Sequence, residues 1–460
     1  MHPKGISCGA PAVIFFVCLD LEQKSSFMDG HYIESESMCN GANINSVAAL
    51  GGFKQGFRYT LFLLAFFMLA GCASSTITQS INAFYADRPQ EAEVLLSSQG
   101  HFSKRDRLLL LMEKGMVFHH LGKYESSIIE FRKASLLMEK QEVISIIRQT
   151  SSLLTSEWIT EYKGEYSERL WIHTYLMINY LMLYKYDDAL VEAKQALKIF
   201  QEHPKSLKEA YFTRALIALC FDNLNEINDA YIEYKKLSTL LPKPTPAAAD
   251  LYRLATELGF TDEAEWYKKY TSSAKLTLFN RETLAELVLF VGLGRSPSKV
   301  PVNIVVPPSI RFSFVRYEDR INESQQAVML DAEKHLPITS ITSDIGKVAR
   351  ASLDERKQRV LAKETARVAA KETLAQTIGE NSGDLAEVLV RGVLFVTEEP
   401  DTRSWQTLPA RLTLLRIPLT PGRYNINIGI MGKRGRMIKT FTLSNLNVSG
   451  GQRIYRSLRY

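Results

Sequence analysis

The fold class follows most directly from residues 218–242, which read ALCFDNLNEINDAYIEYKKLSTLLP. Apolar side chains recur here at the spacing of amphipathic helices, and the wider region contains few glycines. Ala218 and Ala230 are small enough to let two helices approach closely, while Phe221 and Tyr234 can fill the adjacent space. Ala264 follows Ala230 after 34 residues. The sequence therefore predicts a repeated pair of helices.

A period of 34 residues is that of the tetratricopeptide repeat. The small residues that begin the second helix of each pair align at Ser127, Ala189, Ala230 and Ala264, at intervals of 62, 41 and 34 residues. The longer intervals indicate a degenerate array with an insertion at about 141–168, and a pair around Ala83 and Ala92 begins the stack. We therefore predict an α-helical solenoid, with an irregular helical bundle as the alternative.

Such a solenoid presents a concave face that suits an extended peptide or a partner helix. The repeat register places seven residues on that face: His119, His120, Ile178, Leu181, Met182, Asp222 and Asn223. Neighbouring helical residues diverge by about 100°, so His119 and His120 are poorly placed to ligate one metal ion. The plainer interpretation of these two histidines is that they line the groove or lie partly in the core.

A secretory signal precedes the repeats. Lys54 and Arg58 stand before an apolar run at 61–70, which two small residues connect to Cys72. Ten apolar residues span about 15 Å as a helix, which favours a signal peptide over a membrane span. The residues around Cys72 are typical of a lipobox, in which the cysteine is acylated and becomes the mature N-terminus. The alternative is a chance cysteine after an uncleaved anchor.

The domain organisation follows from this signal. A signal that begins about 50 residues into a chain is abnormal, because export signals lie at the start. We therefore expect four segments: an upstream mis-start at 1–50, a lipoprotein signal peptide at 51–71, a tetratricopeptide-like repeat domain at 72–280, and an α+β domain at 281–460.

The pattern changes from helical to β-rich near residue 286. Runs at 287–291 and 302–306 are separated by Gly and Pro and predict a strand pair, and residues 311–317 alternate as a third strand. Helical spacing covers 344–378 and 384–395. Four alternating runs then close the chain, at 410–416, 422–431, 437–443 and 453–458. We expect an antiparallel sheet or a β-sandwich.

Positive charge is concentrated at the C-terminal end. Residues 401–460 contain nine Arg, two Lys and one acidic residue, so they carry +10 in a chain whose formal net charge is +6. This asymmetry indicates a basic face rather than a nucleic-acid-binding protein. The candidate basic patch comprises Lys433, Arg434, Arg436, Arg453 and Arg456. It suits an anionic cell-wall polymer or lipid headgroups, and the alternative is a solvated sheet edge that blocks strand pairing.

The sequence contains none of the motifs HExxH, GxSxG, a phosphate loop or paired CxxC. Two polar clusters remain as candidate sites, one formed by Tyr162, Glu165 and Glu168 and the other by Asp401, Arg403 and Trp405. Such groups can bind a sugar or a peptide terminus, or alternatively cap helices and pin loops. We expect no enzyme activity, no metal and no cofactor, and hydrolysis is the less favoured alternative.

Three stretches resemble a family of uncharacterised bacterial outer-membrane lipoproteins with tetratricopeptide-like repeats. They are YKGEYSER at 162–169 leading into DALVEA at 188–193, VGLGRSP at 291–297, and DTRSWQTLP at 401–409. The resemblance covers most of the mature chain but not residues 1–50. It implies an envelope lipoprotein and supplies no catalytic residues, because no activity is assigned to that family.

These observations together predict a non-enzymatic lipoprotein of the outer membrane that faces the periplasm. Its helical groove is expected to bind an unidentified envelope protein or peptide, and its lipid anchor to hold it at the membrane. The alternative function is a peptidoglycan- or polysaccharide-binding module, or a regulator of cell-wall synthesis, that uses the basic sheet.

Overall fold

The computed structural model describes residues 76–98, 102–147, 161–271, 283–306, 310–330, 338–396 and 399–460. The predicted mis-start, the signal peptide and Cys72 lie outside these residues, as does the middle of the predicted insertion. Within the described residues, none of the helices combines the length and apolarity that crossing a bilayer requires.

The described residues of the N-terminal half contain five consecutive helical hairpins. Their helices are α1 (Thr76–Tyr85) with α2 (Pro89–Ser97), α3 (Arg107–His120) with α4 (Tyr124–Ile147), α5 (Tyr166–Met182) with α6 (Tyr186–Glu202), α7 (Tyr211–Asn223) with α8 (Ile227–Leu240), and α9 (Thr245–Glu257) with α10 (Thr261–Lys268). The two helices of a pair contact each other, and each pair packs against the next. The hairpins therefore stack in chain order, which confirms the predicted helical repeats.

A small residue occupies the same place in every hairpin, the fourth position of its second helix. These residues are Ala92, Ser127, Ala189, Ala230 and Ala264, and all five are buried. In the second hairpin Ser127 also donates a 2.7 Å hydrogen bond to the carbonyl of Gly115. A Cβ added to Gly115 would lie 2.5 Å from the ring of Phe131. The paired helices cross too closely here for larger side chains.

Each hairpin turns through one residue in the left-handed backbone region, two positions before its second helix begins. The φ angles at these positions lie between 58° and 75°, at Asp87, Gly122, Tyr184, Asn225 and Gly259. Glycine, asparagine and aspartate adopt this conformation most readily. Tyr184 is the exception, and its ring packs edge-on against those of Tyr186 and Tyr455.

The strands form two sheets and a separate hairpin. The first sheet has the order β5 (Thr339–Asp344), β6 (Arg411–Leu419), β1 (Ala285–Leu293), β9 (Arg453–Arg459). The second sheet has the order β4 (Ser324–Met329), β7 (Gly422–Gly432), β8 (Met437–Val448). The hairpin pairs β2 (Ser298–Val306) with β3 (Ile310–Glu318). All of these pairs are antiparallel except β1 with β9, which is parallel. The expected antiparallel sheet is thus mixed.

The predicted pairing of the first two β-rich runs is wrong. Strand β1 lies between β6 and β9, with Val288 opposite Arg416 on one side and Tyr455 on the other. Nearly every residue of β1 is buried, whereas the outer half of β2 is exposed. Both edges of β1 are paired, by β6 and β9, and its two faces contact the two cores, whereas pairing with β2 alone would leave one edge open.

Three helices lie between β5 and β6: α11 (Ile345–Glu355), α12 (Lys357–Ser382) and α13 (Asp384–Val396). The single helix predicted over 344–378 is therefore divided, with the break at Arg356. Helices α12 and α13 form a hairpin through Gly383, and α12 packs against β3.

The first sheet lies between two hydrophobic cores. Val288 and Phe290 of β1 belong to the same core as the solenoid helices, while Leu287 and Leu289 face the second sheet. The predicted β-sandwich is therefore one part of a three-layer arrangement, helices over sheet over sheet. Residues Thr76–Tyr460 form one compact unit, so the sequence boundary near 280 separates two kinds of secondary structure that share a core.

Candidate functional site

The concave face of the solenoid is occupied by the chain's own first sheet. Nδ1 of His119 lies 2.6 Å from Oδ1 of Asn179, and its Nε2 lies 2.9 Å from the hydroxyl of Ser457 in β9. Only about 10 Å³ of space remains between His119, His120 and Ile178 on the helices and the facing strands. That volume is barely enough for one water molecule. The predicted groove is therefore closed by the C-terminal strand.

Other predicted groove residues also contact the chain's own core or its first sheet. Ile178 and Leu181 are fully buried in the core, and Met182 packs at its edge. Asn223 accepts hydrogen bonds from Arg453 at 2.6 Å and from the hydroxyl of Tyr455 at 3.0 Å. None of these side chains is displayed to a partner in this arrangement.

Asp222, the remaining groove residue, belongs to a buried ion network. Its carboxylate pairs with Arg253 and Arg453, each at 2.7 Å. Glu286 of β1 pairs with Arg453 at 2.8 Å and with Arg416 at 2.6 Å, and Arg416 also pairs with Asp250 at 2.7 Å. Three cations and three anions thus join α7 and α9 to the sheet.

The electrostatics of Glu286 show how strong this network is. Burial on its own would raise the pKa of Glu286, but the guanidinium groups of Arg416 and Arg453 lower it to about 2. The carboxylate is therefore ionised at neutral pH, and its ion pairs hold β1 to its neighbouring strands β6 and β9.

The predicted basic patch is divided by this network. Arg453 is largely buried and faces the solenoid, so it cannot act as a surface cation. Lys433, Arg434 and Arg436 are exposed at the turn between β7 and β8, in the second sheet, while Arg456 is exposed on β9, in the first. A continuous patch of all five residues is therefore not formed.

The two predicted polar clusters meet at the start of α5. Glu168 accepts hydrogen bonds from the hydroxyl of Tyr162 at 2.5 Å, from the backbone of Glu165 at 2.8 Å and from the backbone of Trp405 at 2.8 Å. Its capping of the helix and its hold on the 401–409 loop favour the structural interpretation of both clusters.

Arg403 fixes the same loop from the other side. Its guanidinium group pairs with Asp401 at 2.8 Å and with Asp106 at 2.9 Å, and it also donates to the carbonyl of Arg105. Trp405 is almost fully buried and packs near Phe131 of the second hairpin. The loop therefore seals the concave face beside the sheet.

Glu113 of α3 is a buried carboxylate that the sequence analysis did not single out. It accepts hydrogen bonds from the backbone of Gln406 at 2.8 Å and from the backbone and hydroxyl of Thr407 at 3.2 and 2.5 Å. Burial raises the pKa of Glu113 to about 7, although hydrogen bonds from Thr407 and Gln406 oppose that shift. The available signal was a lone acidic residue within the apolar run of α3.

Ser135, His173 and Glu192 are joined by hydrogen bonds in the Ser–His–acid order of a hydrolase triad. Nδ1 of His173 lies 2.6 Å from Glu192, and its Nε2 lies 3.4 Å from the hydroxyl of Ser135. The Ser–His distance exceeds the reach expected of an activated nucleophile, and Ser135 is buried. The series is best explained as a polar link between α4, α5 and α6.

Three of the six cluster residues, Tyr162, Glu165 and Asp401, border a polar cavity of about 170 Å³, the candidate site of this protein. Its charged lining consists of Glu161, Lys163, Glu165, Lys299, Arg356, Lys363, Glu364 and Asp401. Oε1 of Glu165 accepts hydrogen bonds from Lys299 at 2.5 Å and from Arg356 at 2.6 Å. Glu165 and Lys299 are both buried. Within the described residues, no group of three or more His, Cys, Asp or Glu side chains is arranged to hold a metal ion.

A second feature lies on the surface, on α13. Leu385, Val388, Leu389 and Val393 are between 60% and 75% exposed and share one helical face. On the other side of α13, Arg391 pairs with Glu372 of α12 and with Glu387. Val390 and Phe395 are half-buried there as well, so α13 is apolar on its exposed face in addition to the side that packs.

The chain was compared with known proteins. No protein-family model and no curated protein sequence matches it. Among solved structures, MamA from AMB-1 matches at 15% identity and a TM-score of 0.30, covering 44% of this chain and 95% of that one. MamA from Desulfovibrio magneticus RS-1 matches at 15% identity and a TM-score of 0.29, covering 42% and 88%. These values are too low to assign the chain to a family.

Proposed function

We propose that this protein is a non-enzymatic, lipid-anchored scaffold of the bacterial envelope that docks a partner protein on the outward face of α13. The carrying observation is the exposed apolar face of that helix. Four aliphatic side chains face solvent while Arg391 and Glu387 face α12. A contiguous exposed apolar surface of this kind marks an interaction site in a soluble domain.

The proposed occupant is a helix with an apolar face, supplied by another protein. Gly392 lies between Leu389 and Val393 on the exposed face, and a Cβ there would meet nothing within 4 Å. Glycine weakens a helix interior by about 1 kcal/mol, and its use here suits close approach of a second helix. Helices that lie on membranes carry Lys and Arg beside their apolar face. The basic residue of α13, Arg391, is instead paired with Glu372 and Glu387.

The concave face is not the proposed docking surface. Its predicted contact residues lie under the first sheet, so a partner could reach them only after β9 had left the core. The face of α13 is already exposed and needs no such rearrangement.

The anchor and the location are proposed on sequence grounds. The lipobox pattern at Cys72 supports acylation, and α1 begins four residues later, at Thr76. An acylated Cys72 would therefore hold the first hairpin close to the membrane, on the periplasmic side of the outer membrane. Replacing Cys72 with Ser should abolish lipid labelling and processing. A variant that still partitions into membranes at the mature size would contradict the anchor.

Site-specific photo-crosslinking tests the docking surface. A photoreactive residue at Val388, in the full chain in cells, should yield an adduct with one other protein, crosslinked within an amphipathic helix. The same residue at Val191, which is also exposed and aliphatic, is the matched control and should not yield that adduct. Leu389→Asp should remove the Val388 adduct. A dimer of this chain, an adduct with lipid alone, or equal labelling at Val191 would overturn the proposal.

A second candidate function rests on Lys433, Arg434 and Arg436, which are exposed together at one turn. They suit an anionic wall polymer, and such binding should weaken between 0.1 and 1 M salt as the Debye length falls from about 10 to about 3 Å. Replacing all three with Gln should abolish sedimentation with purified cell wall. Arg411→Gln is the control, because Arg411 donates to the backbone of Ser324. Wild-type protein that stays in the supernatant would exclude this function.

A further inference from the structure

The outer edge of strand β2 is open. In its hairpin, β2 pairs with β3 along one edge, and none of the described residues pairs with its other edge. Residues 303–306 are exposed, and the side chains of Ile304, Val305 and Val306 lie between 43% and 53% exposed. An open edge presents a row of backbone donors and acceptors that a further strand can bind.

This edge lacks the features that usually keep an exposed strand from pairing. Residues 302–306 read VNIVV and carry no charge. Their register with β3 is continuous, so no bulge turns the edge away. Proline, which also blocks pairing, stands in the sequence only before and after this segment, at positions 301 and 307. An uncharged apolar edge of this kind is a template for another strand.

Pro301 identifies the backbone groups that face the open edge. Proline has no N–H, so within a strand its nitrogen points away from the neighbouring strand. Pro301 lies inside the continuous pairing of β2 with β3, opposite Val315, and its nitrogen therefore faces the open edge. In an antiparallel strand, the N–H and C=O of one residue share an edge, and successive residues alternate between the two edges. Asn303 and Val305 consequently direct their backbone groups outward.

The open edge is complementary to a second copy of itself. When two β2 strands lie antiparallel with Ile304 opposite Ile304, Asn303 of each copy lies opposite Val305 of the other. Each of these two pairs exchanges two backbone hydrogen bonds, so every outward N–H and C=O of these residues is satisfied. A register centred on Asn303 would instead set Pro301 opposite Val305, whose carbonyl would then have no donor.

The side chains suit the same register. Val302 lies opposite Val306 of the second copy, and Ile304 lies opposite its own counterpart, so apolar side chains meet across the junction and no like charges are opposed. Phe312 of β3, which pairs with Ile304 on its other side, extends this apolar row. The arrangement is closed, because each copy uses the open edge of the other.

We propose that this chain forms a symmetric dimer through β2, centred on Ile304, in which the two hairpins join into one continuous sheet. The contact is confined to a short strand, whereas stable complexes bury about 1,200–2,000 Å². The dimer is therefore weak, with a dissociation constant of about 10–100 μM in solution. If the proposed lipid anchor confines the chain to one membrane, the higher local concentration favours the dimer. The contact itself does not depend on the anchor or on α13.

Cysteine crosslinking of the purified full chain tests the register. Ile304→Cys, oxidised with copper–phenanthroline, should give a disulfide-linked dimer, because directly opposed Cα atoms lie within the range of about 4.4–6.8 Å that a disulfide spans. Val305→Cys is the matched control, since Val305 is 53% exposed and Ile304 52%. Its two copies are offset by two residues and lie more than about 7 Å apart, so it should remain monomeric. A mixture of Val305→Cys and Asn303→Cys proteins should again crosslink, and the oxidised wild type gives the background.

Analytical ultracentrifugation of the full chain measures the dimer without a crosslink. The wild type should shift from monomer to dimer between about 1 and about 100 μM. Ile304→Lys sets two like charges opposite each other and should weaken the dimer about tenfold or more, with the fold intact because the position is exposed. Val94→Lys, at an exposed position on α2, is the control and should dimerise as the wild type does.

Three results would overturn the proposal: a wild type that is monomeric at about 100 μM, assemblies larger than two copies, or equal crosslinking of Ile304→Cys and Val305→Cys. A monomer whose β2 instead pairs with an extended segment of another protein would also overturn it. The Val388 adduct is a separate measurement, so this proposal and the docking surface on α13 can fail independently.

Discussion

Arg453 in the last strand and Asp222 at the end of α7 form a buried ion pair of 2.7 Å across 231 positions of sequence. Each residue has a further partner, Glu286 for Arg453 and Arg253 for Asp222. The pair therefore belongs to a network that fastens the sheet to the solenoid, and its loss should loosen both.

Replacing Arg453 with Met should lower the free energy of unfolding by about 3 kcal/mol. That value lies at the lower end of the range for broken buried pairs, because Arg253 and Arg416 still compensate the two carboxylates. Urea denaturation measures the change. Arg456→Met, at an exposed arginine of the same strand, should change stability by less than about 0.5 kcal/mol. Equal effects of the two substitutions would contradict the role of the network.

Glu113 should make the stability of the folded protein depend on pH. Its pKa is about 7 in the folded protein against an ordinary value of 4.5, so the folded state binds the proton more tightly. The stability that Glu113 contributes is therefore present below about pH 4.5 and falls by about 3 kcal/mol as pH rises to about 7.

Glu113→Gln removes that dependence, and urea titrations of both proteins at pH 5 and pH 7.5 measure it. The wild type should lose stability relative to the Glu113→Gln variant between pH 5 and pH 7.5. His119 acts with the opposite sign, because burial lowers its pKa to about 4, but its contribution is common to both proteins. A difference that does not change with pH would show that Glu113 is already ionised at pH 5.

Enlarging the small residue of a hairpin should destabilise the solenoid. Ala230 is fully buried at the crossing of α7 and α8, so Ala230→Leu should cost about 1–3 kcal/mol through overpacking. Ala189→Leu should behave alike in the preceding hairpin. Thr239→Leu, at an exposed position on α8, is the control in thermal melts. An unchanged melting temperature in both alanine variants would refute the repeat register.

Replacing Gly259 or Gly392 with Ala should change the stability of the protein in opposite directions, although a Cβ has open space at both positions. Gly259 has φ of 75°, so Gly259→Ala should cost about 1 kcal/mol through backbone strain alone. Gly392 lies within α13 and has no positive φ, so Gly392→Ala should stabilise by about 0.5–1 kcal/mol. Chemical denaturation measures both. If Gly392 admits a partner helix, its Ala variant should also lose the Val388 adduct despite its greater stability.

Much of the solenoid could be predicted because each hairpin is specified by residues that are close together in the sequence. The small residues repeat at one helical position, and Gly122, Asn225 and Gly259 stand at the turns where a left-handed backbone is needed. Tyr184 gives no such signal, since its conformation depends on ring contacts with Tyr455 from the far end of the chain. Local patterns identify the hairpins but not what covers them.

The sheet could be predicted in content but not in pairing. The β-rich runs appear near their predicted positions, yet β1 pairs with β6 and β9, both more than a hundred residues away. No turn links strands at such separations, so the local sequence around β1 does not indicate its partners. The same limit applies to the groove, because no local pattern near His119 indicates that Ser457 will lie against it.

The candidate site, too, could be predicted from the sequence only in part. The polar residues on either side of it, such as Glu165 and Asp401, stood out as clusters in sequence. Lys299 and Arg356 did not, because each is an ordinary charged residue among many. Their significance depends on their meeting at one oxygen of Glu165, which is a property of the assembled layers.

The position of β9 has a consequence for biosynthesis. The strand follows every described helix in sequence, and the adjoining Tyr460 exchanges backbone hydrogen bonds with Gly292 and Gly294. Helices made early in translation therefore receive this covering strand only after all of the described helices have been made. Until Arg453 and Tyr455 arrive, the inner surface of the solenoid is exposed and apolar, a substrate for chaperones and proteases. A stop codon before Arg453 would yield a chain that keeps all the described helices but lacks the strand that covers them.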